Sequence, residues 1–143
     1  MSRNWRDTAA VSQENVDRTS EFIDAYNRRD FDAAVRHFDP EIDWVLPEHQ
    51  RSDSGRDPEE IKRFWRGLDE TFDELRLLPQ EFVDAGDRMA VRLRHHVRGR
   101  QSGLEMDSVL YHQVTTFEQG RIVRIEYFTD WAQALDAAGV ATT

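Results

Sequence analysis

The chain has 143 residues, enough for one domain with a buried core but too few for two. Its formal net charge of -9, with acidic residues along the whole length, argues against a nucleic-acid-binding protein and leaves a small molecule or another protein as the expected partner. The absence of cysteine excludes disulfides, a thiolate nucleophile and cysteine metal ligands.

The two ends of the chain set the expected domain boundaries. Residues 1–11 predict a loose polar leader without the apolar core of a signal peptide, and residues 140–143 a short tail. No apolar run approaches the ~18 residues of a membrane span. We therefore expect a single domain over residues 12–139, in a cytoplasmic protein that binds no membrane.

Three helices are predicted in the first half of this domain. The first spans residues 12–29, with Ser12 as its cap. A shorter helix over residues 31–38 is expected to end before Pro40, because the residue before a proline is pushed out of helical geometry. Asp57 caps a third helix. Its apolar stripe consists of Ile61, Phe64, Trp65, Leu68 and Phe72.

Strand patterns complete the order of elements. Residues 42–46 alternate as a short strand, and from residue 75 onward the chain keeps β periodicity. The strand over residues 75–84 is interrupted by Pro79, which should lie at a bulge or on an edge. A strand over residues 89–98 and a long hairpin follow. This order predicts an α+β domain with its helices gathered on one face of a curved antiparallel sheet.

The hairpin over residues 109–130 predicts which side chains face the helices. Residues 118–120 form its expected three-residue loop, which pairs Phe117 with Arg121. The inward face then includes Tyr111, Gln113, Thr115, Ile125 and Tyr127, and the outward face includes Leu110, Val114, Ile122 and Phe128. Because these outward residues are apolar, we expect a homodimer through the outer face of the sheet.

The chain contains, in this order, the segments DAGDRMAV, RGRQSGLEM, TFEQGRIVRIEYFTD and WAQALDAAG. Together with the order of helices and strands, they resemble the SnoaL-like branch of the nuclear-transport-factor-2-like superfamily over residues 12–139. The resemblance implies a cone-shaped α+β barrel, with three N-terminal helices on the concave face of the sheet, a pocket between them and commonly a homodimer. It does not imply one reaction, because the family includes polyketide cyclases, ketosteroid isomerases, dehydratases, epoxide hydrolases and proteins that only bind.

The catalytic residues of the steroid isomerases do not carry over. That resemblance places a Tyr on the first helix, a general-base Asp at the end of the first strand and a protonated Asp on the penultimate strand. The matching positions here are Phe22, Leu46 and Gln113. Leu46 cannot abstract a proton, whereas Gln113 can still donate a hydrogen bond to a carbonyl oxygen. Asp130, where the family often has an acid–base Asp, is expected to cap the last helix.

His95 and Asp107 are the candidate catalytic pair. His95 lies on the inward face of its strand, and an imidazole transfers protons near neutral pH. With the loop over residues 99–103 centred at Gln101, Asp107 becomes its cross-strand neighbour and could hold its tautomer. The alternative is a plain polar pair at the end of a strand.

Six further residues are candidates for contact with a ligand, namely Tyr26, Trp44, Trp65, Tyr111, Gln113 and Tyr127. Their rings would shape a space for an apolar, ring-containing molecule, although aromatic residues at these spacings also build ordinary cores. Glu48 and His49 are expected on the loop at the mouth of this pocket. The histidines show no metal-ligand spacing, so neither a metal nor another cofactor is expected.

Two functions are consistent with these observations. The first is a cofactor-independent acid–base enzyme of the cyclase, isomerase, dehydratase or epoxide hydrolase type, acting on an apolar, polycyclic or polyketide-like substrate. The second is a non-catalytic ligand-binding or dimerisation module on the same fold. An enzyme needs a titratable group that faces the cavity, whereas a binding protein needs only shape and a few hydrogen bonds. The candidate pair His95 and Asp107 favours the enzyme.

Overall fold

Four helices and six strands follow one another in the residues that the structure describes, which confirms the predicted α+β class. The structure is a computed structural model that describes residues 5–47 and 55–140, with side chains from residue 13 onward. The elements are α1 (Trp5–Asn27), α2 (Phe31–Ala34), β1 (Phe38–Val45), α3 (Pro58–Thr71), β2 (Phe72–Asp84), β3 (Arg88–Gly99), β4 (Glu105–Ser108), β5 (His112–Glu118), β6 (Arg121–Phe128) and α4 (Trp131–Ala138).

The strands form one curved mixed sheet in the order β1-β6-β5-β3-β2, and β4 pairs with the second half of β3. The meander from β2 to β6 is antiparallel, as predicted. β1, however, runs parallel to β6, so the expectation of an antiparallel sheet was wrong at this edge. Alternation of apolar residues shows that a segment is a strand but not in which direction it runs beside its neighbour.

Two helix starts are as the sequence predicted. Asp57 accepts a hydrogen bond from the backbone N–H of Glu60 at 2.9 Å and so caps α3. Asp130 accepts one from the N–H of Ala132 at 3.1 Å and caps α4. The predicted bulge at Pro79 is also confirmed, since the register of β2 against β3 shifts directly after it.

Other element boundaries differ from the prediction. Ser12 lies inside α1, which begins before it, and therefore does not cap the helix. α2 ends at Ala34, and β1 already begins at Phe38. The cross-strand partner of Phe38 is Ile122, which draws this segment into the sheet. Pro40 is tolerated there because β1 is an edge strand.

The β5–β6 hairpin has a two-residue turn in place of the predicted three-residue loop. Gln119 and Gly120 have φ angles of 51° and 79°, the left-handed values of a type I′ turn. Phe117 consequently pairs with Ile122 and not with Arg121, so the predicted pairing was wrong.

A bulge beside the turn restores the predicted faces. The ladder shifts between Thr116 and Phe117, which leaves Val123 as an extra residue on β6. Beyond it Gln113 lies opposite Tyr127, and both are buried on the inward face, as expected. Among the hairpin residues predicted to face outward, Ile122 is the exception, because it is fully buried in the core.

The turn between β3 and β4 is centred half a residue later than predicted. The N–H of Gly99 donates to the carbonyl of Leu104 at 3.0 Å. His95 therefore lies opposite Ser108 and not opposite Asp107. Because neighbouring residues of a strand point to opposite faces, this slip turns the Asp107 side chain away from His95.

Two hydrophobic clusters lie on opposite faces of the sheet. The larger lies between the sheet and the first three helices, and the smaller lies beneath α4. The smaller cluster includes Val114, with Phe128 packed against it, and Ile122 belongs to the larger one. Leu110 alone of the four predicted interface residues stays exposed, so the reason for expecting a dimer on that face is lost.

Candidate functional site

A cavity lies inside the larger hydrophobic cluster, between α1, α3 and the sheet. Its side chains leave about 10 Å³, room for about one water molecule. The lining residues are Phe22, Tyr26, Trp44, Leu46, Phe64, Trp65, Leu68, Leu77, Tyr111 and Tyr127. We call this site the aromatic pocket. It contains all five aromatic residues that the sequence indicated as ligand contacts.

Five lining residues were not anticipated as ligand contacts, and two of these, Phe22 and Leu46, were named from the sequence only as counterparts of steroid-isomerase catalytic residues. Phe64 and Leu68 lie one turn apart on α3, beside Trp65, and Leu77 points inward from β2. Helical and strand periodicity was the signal that could have found them. Phe64, Leu68 and Tyr111 are half-buried whereas the other lining residues are buried, so the mouth of the pocket lies beside these three.

The rings of the pocket form a continuous series of edge-on contacts that ends at His95. The centroid distances are 5.3 Å for Tyr26–Trp65, 5.4 Å for Trp65–Trp44, 4.9 Å for Trp44–Tyr127, 4.8 Å for Tyr127–Tyr111 and 4.6 Å for Tyr111–His95. Edge-to-face packing is a preferred geometry for aromatic pairs. The imidazole is thus part of the same aromatic wall, one ring beyond the lining residue Tyr111.

The three tyrosines of the chain all line this pocket. Burial raises the pKa of Tyr111 and that of Tyr127, and the neighbouring tyrosines raise both further. Burial also raises the pKa of Tyr26, although the nearby Arg29 opposes the shift. All three hydroxyls therefore stay protonated near neutral pH, where they can donate hydrogen bonds but cannot act as bases.

His95 is fully buried on the inward face of β3, as predicted. Its Nδ1 accepts a hydrogen bond from the N–H of Leu110 at 3.3 Å. Because a backbone amide always carries its hydrogen, Nδ1 carries none, and the neutral ring holds its proton on Nε2. Nε2 is buried and has no hydrogen-bond partner in the described part of the chain.

The protonation state of His95 follows from the same burial. Burial lowers the pKa of His95 to about 4, and the carbonyl of Ser108, which favours the charged ring, only partly offsets it. Near neutral pH the ring is uncharged and presents an N–H from Nε2. His95 is consequently arranged as a hydrogen-bond donor and not as the general base that the sequence indicated.

Asp107 contacts His96 and not His95, so the predicted catalytic pair is not formed. Its Oδ1 lies 2.6 Å from Nδ1 of His96 on the outer face of the sheet. This hydrogen bond raises the pKa of His96, against a smaller opposing effect of desolvation. Asp107 cannot hold the tautomer of His95 from this position, and the alternative prediction of a plain polar pair between these two residues was also wrong.

Gln113 and Trp44 add further buried polar atoms without partners. Nε2 of Gln113 donates to Oγ1 of Thr115 at 3.4 Å, whereas its Oε1, like Nε1 of Trp44, has no hydrogen-bond partner among the described residues. An unpaired buried polar group costs about 1–3 kcal/mol, and water or a ligand commonly satisfies it. Among the unpaired buried groups of the described residues, His95 and Trp44 each offer an N–H donor and Gln113 offers an acceptor.

One cluster of side chains has the spacing of metal ligands. Glu74, His96 and Glu105 place ligand atoms within 4.8 Å of one another on the outer face. Arg98 already forms ion pairs with both glutamates, at 3.6 Å from Glu74 and 3.4 Å from Glu105. Because this guanidinium occupies the place of a cation, we assign no metal to the cluster.

The described part of the aromatic pocket has no carboxylate in its lining. Glu48 and His49, which were expected at the mouth, lie outside the described residues. The described groups can enclose a largely apolar ring and donate hydrogen bonds to its oxygen atoms. None of the described helices combines the length and the apolar character needed to cross a membrane.

A curved sheet that covers an enclosed pocket together with helices is the architecture of nuclear-transport-factor-2-like proteins. Residues 19–125 match the family described as "SnoaL-like domain". The chain therefore belongs to the SnoaL-like family, as its sequence indicated. A search among curated proteins found no match.

Solved structures show the same architecture. An NTF2-like protein of unknown function from Burkholderia pseudomallei is 26% identical, with a TM-score of 0.73 over 86% of this chain and 95% of that one. TerC, co-crystallised with polyporic acid, is 21% identical, with a TM-score of 0.73 over 88% and 98%. A protein of ketosteroid isomerase-like fold from Catenulispora acidiphila, in complex with trimethylamine, is 11% identical, with a TM-score of 0.68 over 87% and 93%.

Proposed function

We propose that the protein binds a small, mostly apolar molecule that contains a ring and bears at least one oxygen acceptor. The observation that carries this proposal is the aromatic pocket with two N–H groups that have no partner among the described residues. One belongs to the lining residue Trp44, and the other to His95, which packs against the lining residue Tyr111. Most buried polar groups of a native core are paired, so two unpaired N–H groups beside one pocket call for an explanation, and a ligand supplies one. A carbonyl or phenol oxygen on the ligand would satisfy them.

Entry of a ring requires side chains to move, since the pocket holds only about 10 Å³. The half-buried Phe64 and Leu68, on α3, can move outward with the least loss of packing. Binding should therefore be accompanied by a change at the α3 side of the pocket, while the sheet side stays fixed.

Catalysis is the second candidate function, and the state of His95 favours it. A neutral imidazole that donates from Nε2 can stabilise negative charge on a carbonyl oxygen as an enolate forms, in the manner of an oxyanion hole. This would serve a cofactor-independent isomerase or cyclase acting on a polycyclic or polyketide-like ketone. The described lining offers no group that is basic near neutral pH, so in enolate formation, as in a dehydratase or epoxide hydrolase, the proton would pass to a water molecule.

Fluorescence quenching tests the binding proposal. The probes are 2-naphthol and polyporic acid, the compound with which TerC was crystallised. A probe in the pocket should quench Trp44 and Trp65, so Trp44→Phe should reduce the quenched fraction. Trp131→Phe is the matched control, because Trp131 belongs to the cluster beneath α4. Loss of quenching in the control variant, or no response to either probe at millimolar concentration, would refute the proposal.

Deuterium exchange tests catalysis. The wild-type protein should accelerate exchange at the carbon next to the carbonyl of 2-tetralone, measured by NMR in D₂O. His95→Gln should remove most of this acceleration. The variant should still fold, because the amide oxygen of the glutamine can accept the hydrogen bond from the N–H of Leu110. Gln113→Ala should instead weaken affinity by about 1–3 kcal/mol. Equal exchange rates with wild-type and buffer would leave binding as the function.

We further propose a homodimer in the cytoplasm. The exposed apolar residues Leu104, Met106, Val109 and Leu110 lie on or beside β4, and their burial by a second copy would be favourable. Light scattering should give twice the chain mass of 16.8 kDa. A single-chain mass at micromolar concentration would exclude the dimer.

A further inference from the structure

Arg29 occupies a backbone position that usually belongs to glycine. α1 ends with the N–H of Arg29 on the carbonyl of Tyr26 at 2.9 Å and the N–H of Asp30 on the carbonyl of Ala25 at 3.0 Å, which together form a Schellman motif. The residue at its centre has a φ of 64°, a left-handed value that disfavours residues with a Cβ. Arginine is less favourable than glycine in this backbone conformation, which indicates that the arginine side chain has a role of its own.

The guanidinium of Arg29 lies against the aromatic pocket. Its central carbon is 5.5 Å from the ring centroid of Tyr26, a lining residue, and 5.9 Å from that of Phe31. Both distances are within the range of a cation–π attraction. The positive charge of Arg29 also opposes the rise in the pKa of Tyr26 that burial causes. The guanidinium of Arg29 is thus in contact with the Tyr26 side of the aromatic pocket.

The hydrogen-bonding capacity of this guanidinium is only partly used. Nη2 lies 2.7 Å from Oδ1 of Asp69, an ion-pair contact in which the N–H is not aligned for a hydrogen bond. Nη1 is buried and, among the residues described, has no hydrogen-bond partner. A buried cationic N–H without an acceptor is among the most costly groups to leave unpaired. An anionic oxygen is the partner that would satisfy it best.

We propose that Arg29 determines the ligand specificity of the aromatic pocket, and that the ligand carries an ionised acidic oxygen, a carboxylate or an acidic enol, attached to its ring. Nη1 of Arg29 and the hydroxyl of Tyr26 bind this oxygen together. The inference rests on the proposed binding function and extends it to a class of ligand, the ring-bearing organic acids. Asp69 contacts Nη2 and partly offsets the charge of the guanidinium, but it does not bond to Nη1.

Two probes of the same shape separate charge recognition from burial. They are 2-naphthoate and 2-naphthamide, titrated against the full-length protein by calorimetry at neutral pH. Wild-type protein should bind the carboxylate about 10- to 100-fold more tightly than the amide, as expected for a charge-assisted hydrogen bond. Arg29→Gln should abolish that preference and leave amide binding unchanged. Glutamine suits the backbone, because Gln119 has a φ of 51° in this chain.

Two further variants exclude a merely structural role. Arg28→Gln removes the same charge one residue away, from an exposed side chain, and should keep the preference for the carboxylate. Asp69→Asn removes the competing carboxylate and should tighten 2-naphthoate binding, a direction that loss of structure would not produce. Equal affinity of the wild-type for both probes, or an unchanged preference in Arg29→Gln, would overturn the inference while the binding function stands. If neither probe binds, the binding function fails, and the inference fails with it.

Discussion

The buried state of His95 has a measurable consequence for stability at low pH. In the unfolded chain its pKa is near the ordinary 6.5, and in the folded protein it is about 4. Between these values the unfolded chain binds a proton that the folded protein does not. The free energy of unfolding must therefore fall as the pH drops from above 6.5 toward 4, because protons favour the state that binds them.

The size of this effect follows from the two pKa values. Each pH unit between them contributes about 1.4 kcal/mol, so His95 alone should remove roughly 3 kcal/mol of stability by the time the pH is below 4. This is a substantial part of the 5–15 kcal/mol that is typical of a domain. A surface histidine with an ordinary pKa would contribute nothing to the slope.

Urea unfolding, followed by tryptophan fluorescence from neutral pH to about pH 4, measures this effect. His95→Gln has no imidazole to protonate. Over that pH range its free energy of unfolding should therefore rise by roughly 3 kcal/mol relative to that of the wild-type. His96→Gln is the control of opposite sign. The pKa of His96 is raised, so the wild-type gains stability as the pH falls through that pKa, and the variant does not. Parallel pH curves for wild-type and His95→Gln would refute the buried, neutral state.

Four further substitutions test two side-chain contacts and the β5–β6 turn. Asp107→Asn should lower the pKa of His96, measured by NMR titration, and leave the pKa of His95 unchanged, because Asp107 bonds to His96 and not to His95. A shift in the pKa of His95 would contradict the observed register. Lys62→Met should lower the free energy of unfolding by less than about 1 kcal/mol, because both ion-pair partners of Lys62 are largely exposed and methionine keeps the buried stem. Gln119→Asn should raise the free energy of unfolding by a few tenths of a kcal/mol, since Asn-Gly is favoured in a type I′ turn. Gly120→Ala should lower it by about 1 kcal/mol. A higher melting temperature for Gly120→Ala than for Gln119→Asn would exclude that turn.

Local patterns in the sequence were sufficient for the helix caps, the bulge and most of the inward faces. Asp57 and Asp130 cap helices because their short side chains reach the free N–H groups of the first helical turn. These contacts join residues only two or three positions apart, so they can be predicted from the local sequence. Pro79 lies at a bulge because it lacks an N–H. The aromatic residues of the pocket were also identifiable from local patterns. Helical spacing places Tyr26 and Trp65 on the buried face, and strand alternation does so for Trp44, Tyr111 and Tyr127.

The tertiary structure decided which polar groups meet. His95 and Asp107 belong to strands joined by a turn, and one residue in the length of that turn determines whether they share a face. The sequence allowed both lengths, and only the hydrogen bond from Gly99 to Leu104 selects one. The parallel course of β1 and the cover of Val114 by α4 likewise depend on contacts between segments far apart in the chain.

The sequence by itself determined the family, the α+β class and an apolar pocket wall, because these follow from periodicity, caps and the order of elements. Only the tertiary structure determined the chemistry of that wall. It converted His95 from an expected base into a neutral donor, since burial and the N–H of Leu110 fix its protonation. It also brought Arg29 to the pocket, because the left-handed end of α1 turns that side chain onto Tyr26. Protonation states and unpaired groups depend on what surrounds a residue in space, and no spacing along the chain encodes them.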